Sequence, residues 1–456
     1  MRKWRIRPCL CLILLLAFYS LPFHFLPCYG GMTSAQSRPS SETSRVAIRA
    51  GRLLDVRTGK TAVNVFILIE SDRIVSIGES APPGAEIIDL SNKTVLPGLV
   101  DCHVHLLLNW KDQSSAAVVR MSSAQGALWG LHNLQAYLNQ GFTTLRDAGE
   151  YDAGYGQLAL RNSINSGLIQ GPRLVSAGSL ISVTGGHGDA DSLAPDFALP
   201  RRPNIADTIP EISVAVRRDL KYGADWIKLM ASGGVGDPLS DFSVQELSEE
   251  QMAVAVEVAH RAHKRVMAHA EGTDGIKAAA RAGVDSIEHG TMLDEEGAEL
   301  MAAKGIWLVP TLNTFQMGVE AGLANGQDPI MLEKGKTILK YQQPAFELAL
   351  KHHLKIAFGD DDDPDYVKRE FGALVRGGMK PIDALQAATI RGSELLGLQN
   401  QVGTIEPGKL ADIIAVEGDP LEDIKAMNNV VFVMKGGQVI RGNPAPGTPA
   451  RSKLSH

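Results

Sequence analysis

The stretch LPGLVDCHVHLLLNW, residues 96–110, places His103 and His105 one residue apart at the end of an apolar run that follows a Pro-Gly step. Side chains of an extended chain alternate faces, so the two imidazoles point one way while Cys102 and Val104 point the other. Two imidazoles on one face can hold a metal ion. An edge strand with two solvated histidines has the same spacing, so the pair alone does not decide. The decision rests on whether other ligand-type residues arrive at the same place.

From Leu99 onward, apolar strand-like runs alternate with helical stretches, the pattern of a parallel βα architecture. Eight runs read as strands: LVDCHVHL at 99, TTLRDAG at 143, RLVSAGSLIS at 173, WIKLMA at 226, RVMAHA at 265, SIEHG at 286, WLVPT at 307 and KIAFGDD at 355. Helical connections such as SVQELSEEQMAVAVEVAHRAHK, residues 243–264, separate them. Eight parallel strands close into a TIM barrel, with its active site at the strand C-terminal ends. His103 and His105 end the first strand, Lys228 lies in the fourth, His269 in the fifth and His289 in the sixth, and the Asp360–Asp363 run follows the eighth. Scattered histidines would not keep landing on one rim, so this constellation favours a metal centre over a solvated pair.

Short apolar runs between Val46 and Leu96 read as β-strands bounded by Gly, Pro, Asn and Asp, and a matching set lies at 411–442. Strand sets flanking a long middle imply one small β-domain assembled from both ends of the chain. The expected organisation is residues 45–96 and 401–443 for that domain, 97–400 for the barrel and 444–456 for a tail. With 456 residues, 44% hydrophobic and 21% charged, the chain can bury a large core. The net charge of −6 and the lack of a long basic stretch past the N-terminal arm argue against a nucleic-acid partner and for a small molecule.

The first 35 residues read as a secretory signal: a basic MRKWRIRP, then the apolar CLCLILLLAFYSLPFHFLPC, with small residues at 33–35 before Gln36. An uncleaved anchor is the alternative, and the only membrane association the sequence suggests. Cleavage would take the net charge from −6 to −10, export the protein to the periplasm or outside the cell, and leave Cys102 as the sole cysteine. No internal disulfide could then form. Residues 36–44 read as a flexible lead-in.

Taken together, LPGLVDCHVHL, GFTTLRDAG, TGGHGD, WIKLMASGGV, AHAEG, AGVDSIEHG and EPGKLADIIAV resemble the amidohydrolase superfamily from about Val46 to Asn443. The resemblance is to the imidazolonepropionase-like and Xaa-Pro dipeptidase-like subgroup, which includes ochratoxin-hydrolysing amidases. It implies an α/β fold, a distorted TIM (β/α)8 barrel plus a small β-sandwich domain formed from both chain ends. It also implies two divalent metal ions, usually zinc: one held by His103, His105 and Asp361, the other by His269 and His289, with a carbamate on Lys228 bridging them. Such a centre makes a bridging hydroxide that attacks an amide carbonyl, and Asp361 carries the proton to the departing amine. The implied activity is cleavage of the amide bond of a dipeptide or N-acyl amino acid.

Relatives commonly read Gly-Thr-Asp where this chain reads Gly359-Asp360-Asp361, so Asp360 is a register alternative to Asp361. The following Asp362 and Asp363 read as a solvated acidic loop, with attraction of a cationic substrate group as the alternative. Glu271 stands where some relatives have a second histidine and is a candidate substrate contact; His187 in the TGGHGD loop either stabilises that turn or touches substrate. Arg146 either pairs with Asp147 or orients a substrate carboxylate. His260, His263, His352 and His353 fall in helical stretches and read as solvated. Two further functions stay open: a cyclic amidase of the imidazolone or hydantoin kind, or a related deaminase, which Lys228 disfavours; and a non-catalytic barrel, which the full ligand set disfavours. Substrate choice would be written in the loops after strands one, two, three and seven, including 183–210, and a homo-oligomer is left open.

Overall fold

The computed structural model describes residues 45–189, 193, 194, 196 and 200–442. The expected signal segment, lead-in, tail and the cysteines Cys9, Cys11 and Cys28 lie outside them. Strands β1 (Arg45–Leu54), β2 (Thr61–Glu70), β3 (Arg73–Gly78) and β4 (Glu86–Pro97) open the chain. The eight strands of the middle are β5 (Leu99–Val104), β6 (Phe142–Asp147), β7 (Arg173–Ile181), β8 (Trp226–Met230), β9 (Arg265–Ala270), β10 (Ser286–His289), β11 (Trp307–Val309) and β12 (Lys355–Ile356). β13 (Ile413–Val416), β14 (Val430–Lys435) and β15 (Gln438–Arg441) close it.

β5 to β12 pair in sequence order, all in parallel, with helices between them. The ends of this sheet meet: the Cys102 amide donates to Phe358 O at 2.8 Å, and the Asp361 amide to His103 O at 3.0 Å. The fold is therefore a distorted TIM barrel, and β12 is short because the chain leaves regular pairing where it turns toward the rim. Val100, Cys102, Ala177, Trp226, Met267, Val309 and Ala357 form one interior cluster. A larger cluster joins the outer strand faces to the helices.

The two chain ends form the second domain as one seven-stranded sheet in the order β15-β14-β13-β4-β1-β2-β3. Its halves are joined by β4 and β13, which run antiparallel with Pro97 opposite Ile413. The sheet has a core of its own, in which Ile48, Ile67, Ile88, Ile413 and Phe432 are buried together. This is the β-domain implied by the flanking strand sets.

One detail departs from the sequence reading. The expected helical stretch from Ser243 begins only at Glu249, where Ser248 and Gln251 exchange the two hydrogen bonds of a capping box. Residues before it return to the barrel, with the Glu246 amide donating to Ala231 O at 2.9 Å.

Asp412, at the start of β13, ties the sheet to the barrel. Its carboxylate accepts from Arg173 of β7 and from the Gly436 amide, each at 2.9 Å, and it is 3% exposed. Asp412→Ala is expected to lower stability in urea unfolding by about 2–4 kcal/mol, because both donors lose a buried acceptor. A change below about 0.5 kcal/mol would mean that the contact contributes nothing.

Candidate active site

His103 and His105 reach the barrel rim through a break in β5. Plain alternation would place Cys102 and Val104 on one face, yet Cys102 packs in the interior cluster and Val104 in the outer one. The pairing of β5 with β6 shifts between Asp101 and Val104, and the Asp101 carboxylate accepts from the His103 amide at 2.9 Å. This bulge turns both imidazoles toward the rim, a common use of bulges beside functional sites.

There they face Asp361, whose Oδ1 lies 3.7 Å from His103 Nε2 and 3.5 Å from His105 Nε2. The other ring nitrogen of each is already engaged: His103 Nδ1 with Glu288 at 2.7 Å, and His105 Nδ1 with Gly149 O at 2.6 Å. Gly149 has φ +95°, and a Cβ there would stand 3.3 Å from Lys228 Cβ, so the position suits glycine alone. Across the rim, His269 places Nε2 on Gly233 O at 3.0 Å, and His289 places Nδ1 on the Thr311 hydroxyl at 2.7 Å. Each histidine thus keeps one ring nitrogen for the centre. Anchoring of the second nitrogen is how ligating imidazoles are commonly oriented.

Burial sets the protonation of these groups. It holds His103, His269 and His289 well below the usual imidazole range and pushes His105 down to about 3, so all four are neutral, the ligand form. Burial also lowers Lys228 to about 8 and raises Asp361 to about 7, the latter against the pull of the Lys228 charge. His289, Thr311 and Asp361 all have left-handed backbones, with φ of +70°, +44° and +55°. For residues other than glycine this costs about 1–3 kcal/mol each, and such strain clusters at functional sites.

The donors fit a divalent cation on one further observation: His103 Nε2 is buried with no hydrogen-bond partner among the described residues. Two groups could each hold an ion, His103 with His105 and Asp361, and His269 with Glu271 and His289. Glu271, expected as a substrate contact, thus lies among the ligand-type residues. Asp360, the register alternative, does not join the histidines; both its carboxylate oxygens are buried and unpartnered. The reading of Asp362 and Asp363 as a solvated loop is corrected: both are 6% exposed, and Asp363 accepts from Lys111 at 2.7 Å.

Arg146 is also corrected. It neither pairs with Asp147 nor reaches the cavity, because its guanidinium is fully buried in the barrel, donating to both oxygens of Glu288 at 2.8 Å and to Ser286 at 3.1 Å. Glu288 in turn holds His103, so Arg146 positions that imidazole at one remove. Glu288 went unread in the sequence although it adjoins His289.

His187 does face the site. Its ring stacks on His269 with centroids 4.4 Å apart, Nδ1 meets Asp237 at 2.6 Å, and its amide donates to Glu246 at 2.9 Å. Gly234 leaves room for that ring, since a Cβ there would lie 2.3 Å from it. His260 is exposed, as expected, and pairs with Asp285, whereas His352 is only 16% exposed and pairs with Glu295.

Above the histidines opens a cavity of about 450 Å³, walled by Trp110, Trp129, Tyr151, Phe315 and Met331. Lys228, Asp361 and His187 also line it.

The model of the amidohydrolase family matches residues 94–440, and the chain belongs to that family. It is 33% identical over 449 residues to an ochratoxinase of Aspergillus niger, covering 89% of this chain and 90% of that one. It is similar in structure to a Xaa-Pro dipeptidase with methionine bound in its active site, with 34% identity, a TM-score of 0.82 and coverage of 88% of this chain and 100% of that one. A prolidase complexed with N-methylphosphonate-L-proline matches with 31% identity, a TM-score of 0.81 and the same two coverages.

Arg146→Ala would leave the Glu288 charge buried without its partner, and is expected to cost about 3–5 kcal/mol of stability in urea unfolding. Arg146→Lys should recover part of that. A loss below about 1 kcal/mol in Arg146→Ala would show that Glu288 is held by other means.

Proposed function

We propose that the chain is a metal-dependent amidase that separates an amino acid from the acyl or aminoacyl group on its nitrogen, acting on a dipeptide or an N-acyl amino acid. The observation that carries the reading is the convergence of four neutral imidazoles with Asp361: His103, His269 and His289 are buried, His105 is half-buried, and His105, His269, His289 and Asp361 line one open cavity. His103, His105 and Asp361 would hold one divalent ion and His269 and His289 a second, with Lys228 between them as a carbamate. Imidazole nitrogen donors suit zinc. Bound there, the ions would polarise the scissile carbonyl and lower the pKa of water.

The rest of the chemistry falls to the chain. Asp361 faces the centre beside His103 and His105, so its carboxylate can take a proton from the attacking water and return it to the departing amine nitrogen. Water adds to the carbonyl carbon, the carbon–nitrogen bond breaks, and an acid and an amine leave. Asp237 fixes the His187 ring through Nδ1, which leaves Nε2 for the bound substrate. Burial holds Lys228 near 8, so part of it is the neutral amine that carbon dioxide adds to. The names of the similar ochratoxinase and dipeptidases support the choice of an amide bond at an amino acid. The aromatic walls favour a large apolar group on one side of that bond. Export through the N-terminal segment is part of the proposal and rests on residues 1–35 of the sequence alone.

The test is amine release from a panel of dipeptides and N-acyl amino acids. Chelation should abolish turnover and zinc restore it, and Lys228→Ala and Asp361→Ala should each lower kcat by at least about 100-fold. Turnover that survives both substitutions, or persists in chelated protein, would contradict the proposal.

A further inference from the structure

Glu271 lies just past the end of β9, two residues after His269. Its backbone is pinned from the loops that follow β8 and β10: its amide donates to Ser232 Oγ at 2.8 Å, and its carbonyl accepts from the Met292 amide at 2.9 Å. The side chain is fully buried, and the donors turned toward its carboxylate are the hydroxyl and amide of Thr291, neither of them in full hydrogen-bond geometry. A buried carboxylate so weakly held is costly, and structures keep one where a cation meets it.

The surroundings identify that cation. A carboxylate oxygen of Glu271 lies within 4.8 Å of a ring nitrogen of both His269 and His289. Gly233 O and Thr311 Oγ1 occupy the other nitrogens, so the remaining ones are His269 Nδ1 and His289 Nε2. The result is two imidazoles and one carboxylate, the same composition as His103, His105 and Asp361 on the other side of the rim. We propose that Glu271 is an anionic ligand of the ion held by His269 and His289, an inference that rests on the two-metal reading above. That ion then draws a carboxylate from its own side of the barrel and does not depend on a Lys228 carbamate alone for negative charge.

The experiment is zinc titration of the full-length, metal-depleted protein against a competing chelator, for wild type, Glu271→Gln and Glu271→Asp. Wild type should take up two equivalents. Glu271→Gln should keep one and bind the second at least about 10-fold more weakly, with Glu271→Asp recovering part of the affinity. Two equivalents of unchanged affinity in Glu271→Gln would overturn this inference and leave the two-metal reading intact. A rise in KM confined to substrates with a free amino group would then assign Glu271 to the substrate. Wild-type protein that takes up no zinc would overturn both.

Discussion

Glu288 sits where the interior of the barrel meets its active rim, and the site depends on how it is held. Arg146 donates to both of its oxygens, Ser286 adds a hydroxyl, and one oxygen receives Nδ1 of His103. Two opposite charges sealed inside a barrel are a poor source of stability in themselves, since their desolvation offsets most of their attraction. They do fix direction. With Nδ1 committed to Glu288, His103 can offer only Nε2 to the rim, and the Asp361 amide, bonded to His103 O, brings the carboxylate to meet it. The same residue whose ring is oriented from below thus positions its partner through the backbone.

The histidines around this point share one electrostatic condition. Burial removes the water that would stabilise imidazolium, so the rings stay neutral and offer lone pairs. The left-handed backbones of His289, Thr311 and Asp361 belong to the same design, because they aim side chains that regular strand ends would send elsewhere. The barrel core carries that strain while the cavity above stays open to a substrate.

The eight barrel strands and the divided β-domain were legible because each strand is an apolar, β-branched run closed by turn residues, and the candidate ligands stand at strand ends. What could not be read came from contacts remote in sequence. Glu288 sits inside a recognised motif, but its meaning lies in Arg146 and His103, 142 and 185 residues away. Asp237 and Glu246 support His187 from 50 and 59 residues downstream. The bulge at Asp101–Val104 is likewise invisible to strict alternation, and it reverses the side chain of Val104 relative to Cys102. The acidic run after Gly359 was misread for a simpler reason: charge suggests solvent, whereas the chain re-enters the barrel there and buries Asp360 and Asp362.

The central claim is that the rim is a two-ion centre, and anomalous diffraction from zinc-soaked crystals at the zinc absorption edge tests it most directly. Two peaks are expected, one against His103, His105 and Asp361 and the other against His269 and His289. No peak at the rim, or zinc bound only elsewhere on the protein, would contradict it.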